Sequence, residues 1–149
     1  MKNLCGKCNV CCTACRIDKS EFTWRDTDKE AGETCDKLIK GRCGIYKKRP
    51  KACRTFECLW LVVSKSPKGK MALKKWRPDN IGILTKATNF DDKILFRVEE
   101  LEEGKINFQD SDFLGFIDML FNLSRIQDKK VSVVLFYFGD EKGYELTQK

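Results

Sequence analysis

Apolar residues are unevenly distributed along the 149-residue chain. The part before residue 65 is polar and has few long apolar runs, whereas the part after residue 70 carries most of the apolar periodicity. Between them, the tract Lys65–Lys70 contains a proline and a glycine, which is typical of a turn between structural units. The sequence therefore predicts two modules, residues 1–64 and residues 71–149.

The second module has short runs of apolar residues that predict β-strands. The predicted strands are Ile81–Ala87, Lys93–Glu100, Ile106–Gln109, Val131–Phe138 and Tyr144–Thr147. The polar turn Thr88–Asp92 joins the first two and predicts a hairpin. The Gly139–Gly143 turn joins the last two.

One longer segment of this module has apolar residues at helical spacing. These residues are Phe113, Phe116, Ile117, Leu120, Leu123 and Ile126. Asp110 and Ser111 precede them and are good capping residues for a helix that faces the core. The predicted fold is α+β, in which a cysteine-rich, metal-stapled N-terminal module packs on a small antiparallel sheet with one long helix.

The first module offers weaker signals for regular structure. Residues 2–15 are expected to form a tight loop, because Gly6 and Asn9 tolerate unusual backbone angles. A short helix capped by Ser20 or Thr23 is predicted to end near Gly32. Phe22 and Trp24 are expected to cover the loop. A second helix is predicted from Pro50 to Val63, with Cys53 on one side and Phe56, Leu59, Trp60 and Val63 on the other.

All nine cysteines lie between Cys5 and Cys58. Their odd number, the adjacent pair Cys11 and Cys12, and an N-terminus without an apolar signal segment argue against disulfides and favour metal or redox chemistry. A cytoplasmic protein is expected, with no membrane span, because no apolar run approaches about 18 residues.

The chain contains no histidine, so every soft metal ligand must be a thiolate. Zinc bound by four cysteines and an iron–sulfur centre are the two cofactors that this composition favours. Cys5, Cys8, Cys11 and Cys15 have the C-x2-C-x2-C-x3-C spacing of bacterial ferredoxins, although Arg16 replaces the usual proline. Crowded cysteines satisfy many such templates, so the spacing alone does not choose between the metals.

An ordered set of motifs extends over residues 5–60. It runs Cys5-x2-Cys8-x2-Cys11-Cys12, Cys35-x2-Leu38, Gly41-Arg-Cys43-Gly-Ile-Tyr46 and Arg49-Pro50-x2-Cys53-Arg54-x-Phe56-x-Cys58-x-Trp60. This set resembles the YkgJ-type CxxCxxCC cysteine-cluster family, described as zinc- or iron-chelating. The resemblance implies a metal-binding set of Cys5, Cys8, Cys11, Cys12, Cys35, Cys43, Cys53 and Cys58. Cys15 departs from the family pattern and is expected to be a free or substitute thiol, and it is kept among the candidate metal-binding residues.

The basic residues are concentrated in one tract. Between Lys37 and Arg77 there are fourteen Lys or Arg residues and one acid, Glu57, within a chain of formal net charge +7. This tract either compensates the charge of an anionic metal centre or forms a patch for a nucleic acid or another anionic partner. Arg49, Arg54 and Arg77 are expected to serve as caps and ion pairs, or as donors to cluster sulfur.

Three functions are consistent with these features. The first is a metal-binding protein that passes electrons to a protein redox partner or chelates ions. The second is a zinc-stabilised interaction module that binds a nucleic acid or protein through the basic 37–77 tract. The third is an iron–sulfur enzyme in which one metal position is open to substrate.

Overall fold

The computed structural model describes residues 5, 7–67, 69 and 72–146. The chain divides into two compact units, Met1–Glu57 and Cys58–Lys149. The predicted turns at Gly6 and around Lys68 and Lys70, and the end of the last predicted strand at Thr147, lie outside the described residues.

The first unit consists of short elements connected by loops. Its regular elements are α1 (Cys11–Ala14), a 3-10 turn (Lys19–Glu21), β1 (Leu38–Ile39), β2 (Arg42–Cys43), a second 3-10 turn (Tyr46–Lys48) and α2 (Lys51–Thr55). β1 and β2 form an antiparallel hairpin whose two turn residues, Lys40 and Gly41, both have positive φ, at 49° and 73°. This backbone geometry matches the twist of a tight hairpin, which is why glycine is favoured there.

Two helix predictions for the first unit were wrong. Residues 2–15 were expected to be loop, but Cys11–Ala14 forms α1. The helix expected between Ser20 or Thr23 and Gly32 is reduced to the 3-10 turn Lys19–Glu21, and its cap is Asp18, whose carboxylate accepts from the Ser20 N–H at 2.8 Å. Asp18, two residues before Ser20, therefore caps this turn in place of the predicted Ser20 or Thr23.

The second unit is an α+β arrangement built on a mixed sheet. Its elements are α3 (Leu59–Lys65), a 3-10 turn (Lys74–Trp76), α4 (Pro78–Ile81), β3 (Ile83–Asn89), β4 (Lys93–Glu100), α5 (Ser111–Gln127), β5 (Lys130–Phe136) and β6 (Tyr144–Leu146). Within the described residues, β3-β4-β5-β6 form a four-stranded sheet in this order. The β3–β4 hairpin was predicted and is confirmed, with its register running from Ile83 opposite Glu100 to Asn89 opposite Ile94.

The prediction of an antiparallel sheet was wrong, because β4 and β5 are parallel, with Ile94 opposite Val131. A parallel pair requires a long crossover, and the chain supplies one through α5 between the two strands. The order strand, helix, strand along the chain is therefore the feature that indicates a parallel pair. β5 and β6 are antiparallel, as expected for strands joined by a short turn.

The long helix α5 is confirmed and supplies much of the core of this unit. Its residues Phe113, Phe116, Ile117, Leu120 and Leu123 are buried, as the spacing predicts; the side chain of Ile126 lies outside the described part. Asp110 is the cap, because its carboxylate accepts from the Asp112 N–H at 2.7 Å. β4 and β5 contribute Ile94, Phe96, Val98, Val133 and Leu135 to the same core.

Two further predicted elements differ from the structure. The helix expected over Pro50–Val63 is interrupted at residues 56–58 and forms α2 and α3 separately. The strand expected at Ile106–Gln109 is a turn, in which the Asn107 side chain accepts from the Gln109 N–H at 2.9 Å. Ile106 is nevertheless buried, and its N–H donates to the carboxylate of Glu100 at 2.7 Å.

Within the described residues, no helix has both the length and the apolar character needed to cross a lipid bilayer.

Two leucines of α5 allow a matched test of this core. Leu120 is fully buried, whereas Leu114 on the same helix is 45% exposed. We expect Leu120→Ala to lower the free energy of unfolding of the second unit by about 2–5 kcal/mol, because it leaves a cavity. Leu114→Ala is expected to change it by about 0.5 kcal/mol or less. Urea denaturation followed by far-UV circular dichroism measures both, and equal losses would contradict the assignment of the core face.

Candidate metal centre

Eight of the nine cysteines line one cavity within the first unit. They are Cys5, Cys8, Cys11, Cys12, Cys15, Cys35, Cys43 and Cys53. The cavity has a volume of about 770 Å³. The ninth, Cys58, lies in the second unit, where it immediately precedes α3 and its carbonyl accepts from the Val62 N–H. Every predicted ligand of the first unit, including Cys15, therefore lines the same cavity.

Backbone hydrogen bonds bring the first two cysteine-bearing segments together. The Cys35 N–H donates to the Cys12 carbonyl at 2.9 Å, and the Gly32 N–H donates to the Thr13 carbonyl at 2.9 Å. These bonds fix residues 32–35 against α1. Cys35 is thereby held beside the Cys11–Cys12 pair, although twenty-two residues separate it from Cys12 in the sequence.

Two side-chain contacts position the remaining cysteine-bearing segments. The Asn9 amide donates to the Gly41 carbonyl at 3.1 Å and connects the start of α1 to the hairpin that carries Cys43. The Glu21 carboxylate accepts from the Ala52 N–H at 3.0 Å, near the N-terminus of α2, which carries Cys53. A carboxylate at this position satisfies an N–H group that the helix leaves unpaired.

A buried ammonium group holds the end of α1. Lys29 is fully buried, and its Nζ donates to the carbonyls of Cys15 at 2.7 Å, Thr13 at 3.1 Å and Glu30 at 3.3 Å. The Lys29 backbone also forms an antiparallel bridge with Ile17. A cation is favourable where helix carbonyls end. Lys29 therefore fixes the backbone between Cys12 and Cys15 from the inside.

The electrostatics of the thiols show that several of them interact. A hydrogen bond from the Cys12 thiol lowers the pKa of Cys11 to about 6, and the Arg49 guanidinium contributes to this lowering. The same hydrogen bond raises the pKa of Cys12, as do burial and the nearby Cys11, Cys43 and Cys35. Burial, followed by neighbouring thiols, raises the pKa of Cys53, while Arg49 opposes this shift. Ionisation of all these thiols together requires additional positive charge.

Positive charge is present on the cavity wall. Lys7, Arg16, Arg42 and Arg49 line the cavity, and the described lining contains no Asp or Glu. Arg16 is exposed and already pairs with Asp28 at 2.7 Å and Glu30 at 3.5 Å. The remaining three cations face a wall whose other ionisable groups are thiols and the Tyr46 phenol.

The first unit has very little hydrophobic core. Among its described residues, only Ile17 and Lys29 are buried, and one of these is charged. Small domains that bury so little apolar surface usually require metals or disulfides to remain folded. The described cysteines form no disulfide bond. The stabilising interactions that the structure describes in this unit are therefore mostly the polar contacts above.

The donor set fits a thiolate metal centre, and one orphaned polar atom supports this fit. Trp24 lines the cavity, and its indole Nε1 is buried without a hydrogen-bond partner among the described residues. By contrast, Nε1 of Trp60 donates to the Leu73 carbonyl at 3.0 Å and Nε1 of Trp76 to the Asp112 carbonyl at 3.3 Å. An unsatisfied buried N–H costs about 1–3 kcal/mol. Thiolate or sulfide sulfur is an acceptor that such a centre would bring to this wall.

The thiols share the cavity without forming a complete coordination shell. Among the described residues, no three or more Cys, Asp or Glu side chains are arranged as they would be around a metal ion. The structure thus supports the grouping of the predicted ligands and does not divide them among centres.

Two residues that position the site were not found from sequence. Lys29 is one of 29 basic residues, and nothing local marks it as buried, since lysine is rarely buried. Glu21 caps a helix thirty-one residues away, so no local capping pattern could reveal it. Phe22 and Trp24 were expected to cover the cysteine loop, and both do line the cavity.

Comparison with known proteins adds no further information, because no family model, curated protein or solved structure matches this chain. The likeness to the CxxCxxCC family therefore stays a prediction that depends on the motifs alone. The function has to be argued from the residues of this chain.

The buried ammonium can be tested by replacing Lys29 with methionine. The Lys29→Met protein keeps an apolar stem but removes the ammonium donor from the carbonyls of Cys15, Thr13 and Glu30, of which Thr13 keeps its bond from the Gly32 N–H. We therefore expect a loss of about 1–3 kcal/mol in the first unit. The matched control is Lys47→Met at an exposed position of the same unit. Hydrogen exchange of peptides from residues 8–35, read by mass spectrometry, should accelerate in the first variant only. Equal exchange in both variants would contradict the role of Lys29.

Proposed function

We propose that the first unit binds metal through cysteine thiolates, holding an iron–sulfur centre or zinc. The observation that carries this proposal is the single cavity lined by eight cysteines in a unit with almost no apolar core. Cys5, Cys8, Cys11, Cys12, Cys15, Cys35, Cys43 and Cys53 are the proposed ligand pool. The resemblance adds Cys58 to this pool.

Metal binding would account for the stability of this unit. Thiolates bound to structural zinc contribute about 10–16 kcal/mol in small zinc-finger peptides at neutral pH, which is more than a small core supplies. The pKa of Cys12 is raised first by its hydrogen bond with Cys11 and that of Cys53 first by burial, and neighbouring thiols raise both further. A metal would oppose these shifts, because its positive charge favours the thiolate form.

The volume of the cavity leaves room for an iron–sulfur centre as well as for zinc. Four thiolates around zinc lie about 2.3 Å from the ion and fill the space around it themselves. A cluster brings inorganic iron and sulfide and therefore needs room between its ligands. A cavity of about 770 Å³ with thiols on its wall offers such room. Such a centre would supply one-electron redox chemistry, whereas zinc would supply structural support.

The deciding measurement is the metal and acid-labile sulfide content of protein purified without oxygen, together with its visible spectrum. Iron with matching sulfide and a brown colour is the expected result. Zinc with no colour would keep the metal-binding proposal and replace electron transfer with a structural or chelating role. Protein that contains no metal, and takes up neither zinc nor an iron–sulfur centre on reconstitution, would refute the proposal.

Cysteine variants test the ligand pool. We expect Cys8→Ala and Cys53→Ala to lose bound metal and to unfold the first unit, because each removes a thiolate from the cavity wall. Thr34→Ala is the control, since Thr34 is exposed in the same unit and its side chain does not line the cavity. Metal content per chain and thermal denaturation provide the readout. Unchanged metal content in both cysteine variants would remove Cys8 and Cys53 from the pool.

Metal removal tests the same dependence without a mutation. A chelator is expected to unfold the first unit and to leave the second unit folded, because the second has its own core of buried apolar residues. Hydrogen exchange should therefore become fast in peptides from residues 8–56 and stay slow in α5. Slow exchange in both units after complete metal loss would show that the first unit is stable without metal.

A further inference from the structure

Arg49 is held in a defined orientation on the cavity wall. Its Nε donates to the Tyr46 carbonyl at 2.8 Å, and its Cζ lies 3.8 Å from the centroid of the Tyr46 ring. Its backbone is extended, with φ −57° and ψ 146°, and it links the 3-10 turn of Tyr46 to Pro50 and α2. A planar guanidinium stacked on an aromatic ring loses little freedom when it is held in this way.

Among the described residues, no carboxylate neutralises the charge of Arg49. No Asp or Glu among the described residues forms an ion pair with it, whereas the cavity-lining Arg16 is paired with Asp28 and Glu30. Arg49 is also half-buried, while Lys7 and Arg42 are exposed to solvent, which screens their charges. Of these cavity-lining cations, Arg49 is therefore the one whose charge is least screened by solvent or by a described carboxylate.

The cavity brings this charge together with thiols from different segments of the chain. Arg49, Cys11 on α1 and Cys53 on α2 line the same cavity. Arg49 and the Tyr46 ring that it stacks on therefore share this wall with thiols from both helices. Two centres that each carry four thiolates and two positive charges would together have a net charge of about −4. A fixed cation close to the sulfur atoms would partly compensate this negative charge.

We infer that Arg49 is a positioning residue for the proposed metal centre, at which its stacked guanidinium supplies a fixed positive charge beside the ligand sulfurs. The inference rests on the proposed function. The role depends on the charge of Arg49 and not only on its hydrogen bond to Tyr46. The charge should favour the more negative, reduced form of a redox centre, and it should favour thiolate ligation of zinc.

Arg49→Gln removes this charge and keeps a polar side chain, and Arg49→Lys keeps the charge without the planar group. Arg54→Gln is the control, because Arg54 is an exposed arginine next to Cys53 that does not line the cavity. All three proteins are first checked for metal content and far-UV circular dichroism. The full-length chain is used throughout.

The readout depends on the metal found in the wild-type protein. For an iron–sulfur centre, potentiometric titration should give a lower reduction potential for Arg49→Gln than for the wild type. For zinc, competition with a chelator should show about 10–100-fold weaker Zn²⁺ binding. Arg49→Lys should lie closer to the wild type than Arg49→Gln does, and Arg54→Gln should be near the wild type in both assays.

Each alternative outcome has a defined meaning. Equal values for Arg49→Gln and Arg54→Gln would overturn the inference and leave the metal proposal intact. Equal effects of Arg49→Gln and Arg49→Lys would also overturn it, because a purely structural role depends on the guanidinium and not on the charge. If Arg49→Gln retains no metal, the inference requires Arg49→Lys to retain the full amount. A wild-type protein that binds no metal would refute the proposed function itself.

Discussion

Eight thiols on one cavity wall cannot all ionise unless positive charge lies close to them, and this constraint governs the first unit. The pKa of Cys12 is raised first by its hydrogen bond with Cys11 and that of Cys53 first by burial, and neighbouring thiols raise the pKa of both further. The chain meets this constraint partly through Arg49, and partly by lining the cavity without acidic residues. Under the proposed function, metal ions would add further positive charge and would also compensate for the small apolar core. The need for charge and the need for stability therefore lead to the same proposal.

The two units are stabilised by different kinds of interaction. The second buries a continuous apolar core between α5 and one face of its sheet. The first buries Ile17 and the charged Lys29, and it joins its segments through single contacts such as Asn9 to Gly41 and Glu21 to Ala52. A core tolerates one lost contact because many others remain, whereas a unit joined by a few polar contacts has little such reserve. A bound metal centre would stabilise the first unit cooperatively.

The elements that the sequence predicted well are those whose signals are local. Helix α5 combines 3.6-residue periodicity with the Asp110 cap, and the β3–β4 hairpin combines two apolar runs with a polar turn. The parallel pairing of β4 and β5 was missed because it depends on the topology of a crossover rather than on any residue. The continuous helix over Pro50–Val63 was wrong because its apolar residues serve two units. Phe56 lines the cavity of the first, while Leu59 and Val63 are buried in the core of the second.

For the site, composition restricts the possible donors more than spacing restricts which cysteines take part. Any soft metal ligand in this chain must be sulfur, since the chain has no histidine. Spacing could not show whether Cys15 accompanies the other thiols, because five cysteines within eleven residues satisfy many patterns. The structure places Cys15 on the same cavity wall as Cys12, with its carbonyl held by Lys29. The family resemblance nominates seven cysteines of the first unit, and Cys15 raises the number of thiols on this wall to eight. Two four-thiolate centres require eight thiols. That count supports a ligand role for Cys15, and it makes the contribution of Cys58, which precedes α3 in the second unit, a separate question.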